Sequence, residues 1–400
     1  MTETYTVLRD MSLTSSDEPF RARLGALDST LAPSAPRIDR ADLDKQEVRD
    51  LSRAPEVRAI APVMPTDLVR PVSDDEAGSD VAADPAPGGV AWGVTAVGAD
   101  ASGRDGSGVS VAVLDTGIDA AHAAFSGVSI DEHDFSGSGN GDRQGHGTHC
   151  AGTVLGRDVD GTRIGVARGV ERALIGKVLG DDGSGDSDML FRGMQWAVQQ
   201  GAQVISMSLG FDFPGLVKRL ADRGWPVDLA TSRALEAYRA NLRMFDALMQ
   251  MIAAQVAFTN GVVVVAASGN ESKRHVNPEH EIGVSLPAAA NGVLSTGALG
   301  RSVDGLVVAP FSNTYPQISG PGVGVLSARA GGGLVSLNGT SMATPHAAGV
   351  AATWWQEVRE SALPPTASTV TSRLLANADL TALAPGVDVA DRGVGLVRTP

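Results

Sequence analysis

Four short apolar runs, each closed by small or polar residues, constrain this 400-residue chain more than any other feature. Val109-Ser110-Val111-Ala112-Val113-Leu114 ends at Asp115, Ala173 to Leu179 at a Gly-rich turn, Gln203 to Ser208 at Leu209-Gly210, and Val262 to Ala267 at Ser268-Gly269-Asn270. Runs this short and this continuously apolar fit strands buried on both faces, the condition of a parallel sheet covered by helices. The predicted fold is therefore α/β, a mostly parallel central sheet with helices on both faces. A total of 48 glycines with only 4% aromatic residues agrees with many tight strand-to-helix turns. In open sheets of this kind ligands gather beyond the carboxyl ends of the strands, where Asp115 and Asn270 stand.

Ahead of that region, residues 1–71 read as a small α+β unit, with strands at Tyr5 to Leu8 and Glu56 to Ile60 around a charged helix from Arg40 to Arg53. Residues 72–89 have the acidic, Ala-, Gly- and Pro-rich composition of a linker, and residues 90–400 form the main domain. An extra segment at about 211–260 interrupts that domain. Its Leu235, Tyr238, Leu242, Phe245, Leu248, Ile252 and Val256 recur at steps of three and four, the stripe of one long amphipathic helix. The stripe packs on the body of the domain in one reading and meets a partner in the other.

A net charge of -14 argues against nucleic acid or an anionic membrane as the main partner. No run approaches the roughly 18 apolar residues of a membrane span. Cys150 is the single cysteine, so stability comes from packing rather than from an intrachain disulfide. The first residues lack the basic and apolar regions of a signal peptide, which points to the cytoplasm, or to secretion if the true start lies upstream.

The chemistry concentrates in Gly339-Thr340-Ser341-Met342-Ala343-Thr344-Pro345-His346-Ala347-Ala348-Gly349. Small residues before Ser341 leave room for a substrate carbonyl, Pro345 suits only a first helical turn, and the Ala-rich run to Trp355 packs tightly. Taken alone, the stretch is also an ordinary loop-to-helix cap. A serine hydroxyl is a weak nucleophile near neutral pH, so an imidazole must take its proton and a buried carboxylate must orient that imidazole. His146, in Gly145-His146-Gly147-Thr148-His149-Cys150, supplies the base, with His149 as its competitor, and Asp115, in Asp115-Thr116-Gly117, supplies the carboxylate. An aspartate closing a strand is usually a turn former, and a histidine before Gly-Thr is usually structural. Their joint occurrence is what points to catalysis.

In the order Asp, His, Ser, these motifs resemble those of the subtilisin-like serine peptidases, the subtilases, over about Ala91 to Val397. The resemblance implies an endopeptidase that forms an acyl-enzyme at Ser341, with His146 catalytic and His149 structural. It implies that Asn270 and the backbone N–H of Ser341 hold the oxyanion, and that Gly183-Ser184-Gly185 and Ser208-Leu209-Gly210 flank an extended peptide. The first pocket then lies between Leu209 and Ala266-Ala267, with Ser285 near its base; its small, apolar lining favours uncharged side chains.

The N-terminal unit resembles the family's propeptide, an intramolecular chaperone and inhibitor, and counting from Val57 sets the first cut near Leu68-Val69. The partners implied are a peptide or protein substrate and this N-terminal unit. One departure concerns calcium. The position where many subtilases carry a ligating aspartate is Ala124, so no cofactor is required and no metal is assigned, with calcium left open without its usual ligand; Asp158 and Asp160 offer a loop for it or are solvated turn residues. Cys150 reads as a small buried residue rather than a second nucleophile. Two alternatives stand beside the endopeptidase: a dedicated processing protease or transpeptidase, suggested by the insertion, and a non-catalytic binding protein on the same scaffold. The second is weakened because every catalytic position is filled.

Overall fold

The computed structural model describes residues 2–13, 36–77 and 89–400. Its central sheet has eight strands among the described residues, in the order Gly305–Val308, Val293–Ser302, Val263–Ala267, Val204–Met207, Ser110–Asp115, Arg172–Lys177 and Ser129–Asp134, with Ile318–Pro321 paired to Val293–Ser302 off this path. The four predicted runs are its adjacent central members. All pair in parallel, and Gly305–Val308 forms the antiparallel edge.

Alternation of side chains along each strand divides the core into two halves. Val111 and Val113 join residues of the helices His146–Leu155 and Thr340–Glu360 on one face; Ala112 and Leu114 join residues of Ser187–Gln199 and Val227–Ala254 on the other. Helices on both faces explain why these strands are apolar throughout.

The N-terminal unit is a three-stranded antiparallel sheet with Glu3–Asp10 between Pro36–Leu43 and Val57–Pro62. The predicted helix from Arg40 is shorter, Lys45–Leu51. Its start is fixed by Asp44, whose carboxylate accepts from the amides of Gln46 and Glu47 while Glu47 reaches back to the Asp44 amide, a capping box that ends the strand before it. The predicted linker is only partly one. Residues 78–88 lie outside the described residues, but Ala77 is buried beside Phe311, Val323 and Ala343.

The insertion forms two helices, Phe213–Asp222 and Val227–Ala254, followed by the short Val256–Thr259. Phe245, Leu248 and Ile252 are buried as predicted, whereas Leu235 is 48% exposed. In the first half of the long helix the buried positions are instead Ala230, Ala234, Ala237 and Asn241. Small residues there let the helix lie close to its neighbours, the preceding helix and the strand Val57–Pro62.

Candidate active site

Asp115 is the last residue of the central strand, and His146 and Ser341 open two buried helices, so three sequence-distant side chains reach the carboxyl edge of the sheet. Gly145, at φ 95°, caps the histidine helix in a left-handed conformation open to glycine. The helix start presses against the loop after Asp115, where a Cβ on Gly147 would lie 2.2 Å from the carbonyl O of Gly117. Nδ1 of His146 is 2.8 Å from Oδ1 and 3.0 Å from Oδ2 of Asp115, both groups being buried. Burial pulls the His146 pKa down, but the Asp115 carboxylate outweighs it and holds the imidazole well above its ordinary value. Nε2 of His146 has no hydrogen-bond partner among the described residues.

Pro345 lies beyond the first helical turn, contrary to the sequence reading, and the difference has a use. With no N–H it leaves the Ser341 carbonyl without its helical donor. That carbonyl accepts instead from Ser208 Oγ at 3.1 Å and lies 3.5 Å from Cys150 Sγ, ties that anchor the serine from outside its own helix.

The strand Pro65–Leu68 of the N-terminal region crosses this edge. It is the middle of a small sheet, antiparallel both to Leu209–Phe211 and to Ser184–Asp186, the two predicted edges. Leu68 N–H donates to the Gly183 carbonyl at 2.9 Å, and Ser341 Oγ donates to the Val69 carbonyl at 2.9 Å. Asn270 turns its Oδ1 to the N–H and hydroxyl of Thr340, at 2.9 and 2.8 Å, which leaves Nδ2 to donate to the Arg70 carbonyl at 2.9 Å. The carbonyl brought to Ser341 is thus that of Val69, one bond beyond the Leu68-Val69 count. Val69 is buried: a methyl placed on Gly210 would be 3.5 Å from its Cγ2 and 3.9 Å from Ser285 Oγ. Ala266 and Ala267 end a buried strand.

Residues 106–395 match the Subtilase family. Subtilisin DY of Bacillus licheniformis is 35% identical over 66% of this chain and 83% of its own length. The major intracellular serine protease of Bacillus subtilis (strain 168) is 32% identical over 63% and 70%, and a thermostable alkaline protease of Halalkalibacterium halodurans 31% over 78% and 70%. The chain belongs to the subtilase family. It is a subtilisin-like serine endopeptidase, the reading the motifs supported.

Within this subtilase the other candidates have distinct places. His149 Nε2 donates to the carbonyls of Val325 and Val335 at 3.0 and 3.2 Å, and burial with the neighbouring His146 lowers its pKa to about 3, so it stays neutral and pinned. Cys150 Sγ lies 3.7 Å from Nδ1 of His146, the nitrogen already turned to Asp115, and burial raises its pKa. It packs behind the imidazole rather than in front of it. Ala124 is fully buried in the apolar core beside Phe125, so this position offers calcium no oxygen, and Asp158 lies 3.5 Å from Arg168.

The sequence reading missed Asp142. Its Oδ1 accepts from Thr116 Oγ1, Gln144 N and Gly145 N, and its Oδ2 from the N–H and hydroxyl of Thr148. One carboxylate therefore ties the loop after Asp115 to the first turn of the His146 helix. An acid just ahead of a helix start was the available signal.

Proposed function

We propose that Ser341 is the nucleophile, His146 the general base, Asp115 the carboxylate that orients it, and Asn270 with the Ser341 amide the oxyanion site. The observation that carries this reading is the His146 ring, with Nδ1 held by both oxygens of Asp115 and Nε2 left unpaired. Nε2 takes the Ser341 proton as Oγ attacks the carbonyl carbon. The oxygen gains negative charge and is stabilised by the donors waiting for it. His146 then passes its proton to the leaving amine, and water releases the acyl group by the same steps. Asp115 stabilises the imidazolium between these events.

The substrate is an extended peptide or protein segment that adds as a strand between Gly183-Ser184-Gly185 and Ser208-Leu209-Gly210, as Pro65–Leu68 does. Its uncharged side chain enters a first pocket formed by Leu209, Ala266, Ala267 and Ser285. Residues 1–71 serve as intramolecular inhibitor and folding aid, residues 72–89 connect them, and residues 90–400 are the peptidase. Val69–Arg70 is the bond presented for the first cut. Among the described residues no helix is long and apolar enough to cross a membrane, and two relatives are named as intracellular proteases, which supports work in the cytoplasm.

A fluorophosphonate probe tests the assignment. Protein that has released its N-terminal unit takes up one equivalent, and the Ser341→Ala chain takes up none. An unlabelled wild type, or equal labelling of both, refutes it.

A further inference from the structure

The inserted helix Val227–Ala254 reaches the Ser285–Leu286 wall of the first pocket through the hydroxyl of Tyr238. Leu286 follows Ser285 along the wall beside Val69, and a methyl on Gly210 would be 3.9 Å from its carbonyl O. The wall is tied to the body of the peptidase by Ser285, whose N–H and hydroxyl both donate to the Ser268 carbonyl at 3.1 and 3.4 Å, and by Phe211 N–H, which donates to the Leu286 carbonyl at 3.2 Å. A further bond comes from the insertion. Leu286, fully buried, donates its N–H to the hydroxyl of Tyr238 at 3.0 Å.

Tyr238 is itself held in place. Its ring meets Phe213 edge-on, with centroids 6.2 Å apart at 89°, so both helices of the insertion fix it. Burial pushes its pKa up, which keeps the hydroxyl protonated over the working range of a peptidase. One turn further on, Asn241 donates to the Pro62 carbonyl of the N-terminal unit at 2.9 Å. The helix is thus tied to the N-terminal unit through Asn241 and through Arg233, which meets Glu3, and to the peptidase through Tyr238 and through Asp246, which accepts from the Asn291 amide. The ties to the peptidase do not depend on the N-terminal unit.

We propose that Tyr238 is a positioning residue of the first specificity pocket: by holding the Leu286 amide it sets the distance between the Ser285–Leu286 wall and Gly210. This rests on the pocket assignment above. A buried amide without its acceptor shifts to find another, and the wall moves with it. Large side chains lose a fitted surface, while small ones, which never reach the wall, lose nothing.

The test is made on the full chain, with active sites titrated so that release of the inhibitor does not enter the comparison. Peptide anilides ending in leucine or in alanine are compared for wild type, Tyr238→Phe, Phe213→Leu and Asn241→Ala. In Tyr238→Phe the ratio of kcat/KM for leucine over alanine falls about tenfold, through KM and with kcat kept, the size expected when a buried amide loses its partner. Phe213→Leu shifts the ratio less and in the same direction, which keeps the test alive should Tyr238→Phe not fold. Asn241→Ala leaves the ratio unchanged. A ratio within twofold of wild type in both aromatic variants, or an equal loss on both substrates, overturns the proposal: Tyr238 would then only fasten the helix. A wild type that cleaves neither anilide refutes the peptidase reading itself, and this inference with it.

Discussion

Replacing Asn270 separates two jobs that its amide performs at once. Nδ2 donates to the Arg70 carbonyl, one residue beyond the Val69 carbonyl at Ser341, and Oδ1 satisfies the Thr340 N–H and hydroxyl. In Asn270→Asp the retained Oδ1 still accepts both Thr340 bonds, so the fold keeps its stability, but an oxygen replaces Nδ2 and the donor to the oxyanion is gone. Turnover falls about 10²- to 10³-fold with KM almost unchanged, a magnitude that comes from subtilisin itself and is carried over here. In Asn270→Ala the same catalytic loss is joined by a structural one. Thr340 is buried, and stranding its N–H costs about 1–3 kcal/mol, while its hydroxyl can turn toward another acceptor. Steady-state kinetics on titrated enzyme, paired with urea unfolding, reads both quantities. The reasoning fails if Asn270→Asp keeps more than a tenth of wild-type turnover, or if the alanine variant raises KM at constant kcat.

Three further outcomes follow from other parts of the structure. His146 must be neutral to accept a proton, and its pKa is held above the ordinary 6.5, so activity rises with pH through a limb above that value; Asp115→Asn lowers the limb along with turnover, and a pH–rate profile checks both. Stability obeys the opposite sign: the raised pKa makes the His146–Asp115 contribution complete below the unfolded value and lost as pH rises through the folded one. A Cβ on Gly93 would lie 2.1 Å from Nε2 of His346, a buried ring whose Nδ1 donates to the Met342 carbonyl, so Gly93→Ala costs about 1–3 kcal/mol of overpacking in a denaturant melt; a loss under half of that contradicts the contact. N-terminal sequencing of active protein finds Arg70 first, and the Ser341→Ala chain remains whole; a start elsewhere displaces the register drawn from Val69.

Much of this architecture was written in local pattern. The run Val109 to Leu114 announces a strand covered on both sides because no face of it is allowed water, and Asp115, His146 and Ser341 each sit in a motif that fixes its own backbone. Contacts between distant segments were not written that way. Nothing in the stripe of the inserted helix sets Tyr238 apart from Leu235, yet one meets the Leu286 amide and the other faces solvent. Periodicity records which residues are greasy, and it overlooks Ala230, Ala234 and Ala237, whose value lies in being small. Arg40 looked helical because the charge around it is dense, and only the capping box at Asp44 fixes where the strand gives way. Pro345 was misplaced by one turn because its role concerns a carbonyl four residues back, which no residue count displays.

The small sheet around Pro65–Leu68 also bears on how such a molecule survives in storage. While that segment stays in the cleft, both flanking strands have their amides and carbonyls paired along the groove. Its departure bares two facing rows at once, which is a ready template for stray polypeptide and for other copies of the enzyme. The opening that lets in a meal also invites clumping and self-digestion, so on the proposed role of residues 1–71 the chain that still holds Pro65–Leu68 in its cleft is the form built to last.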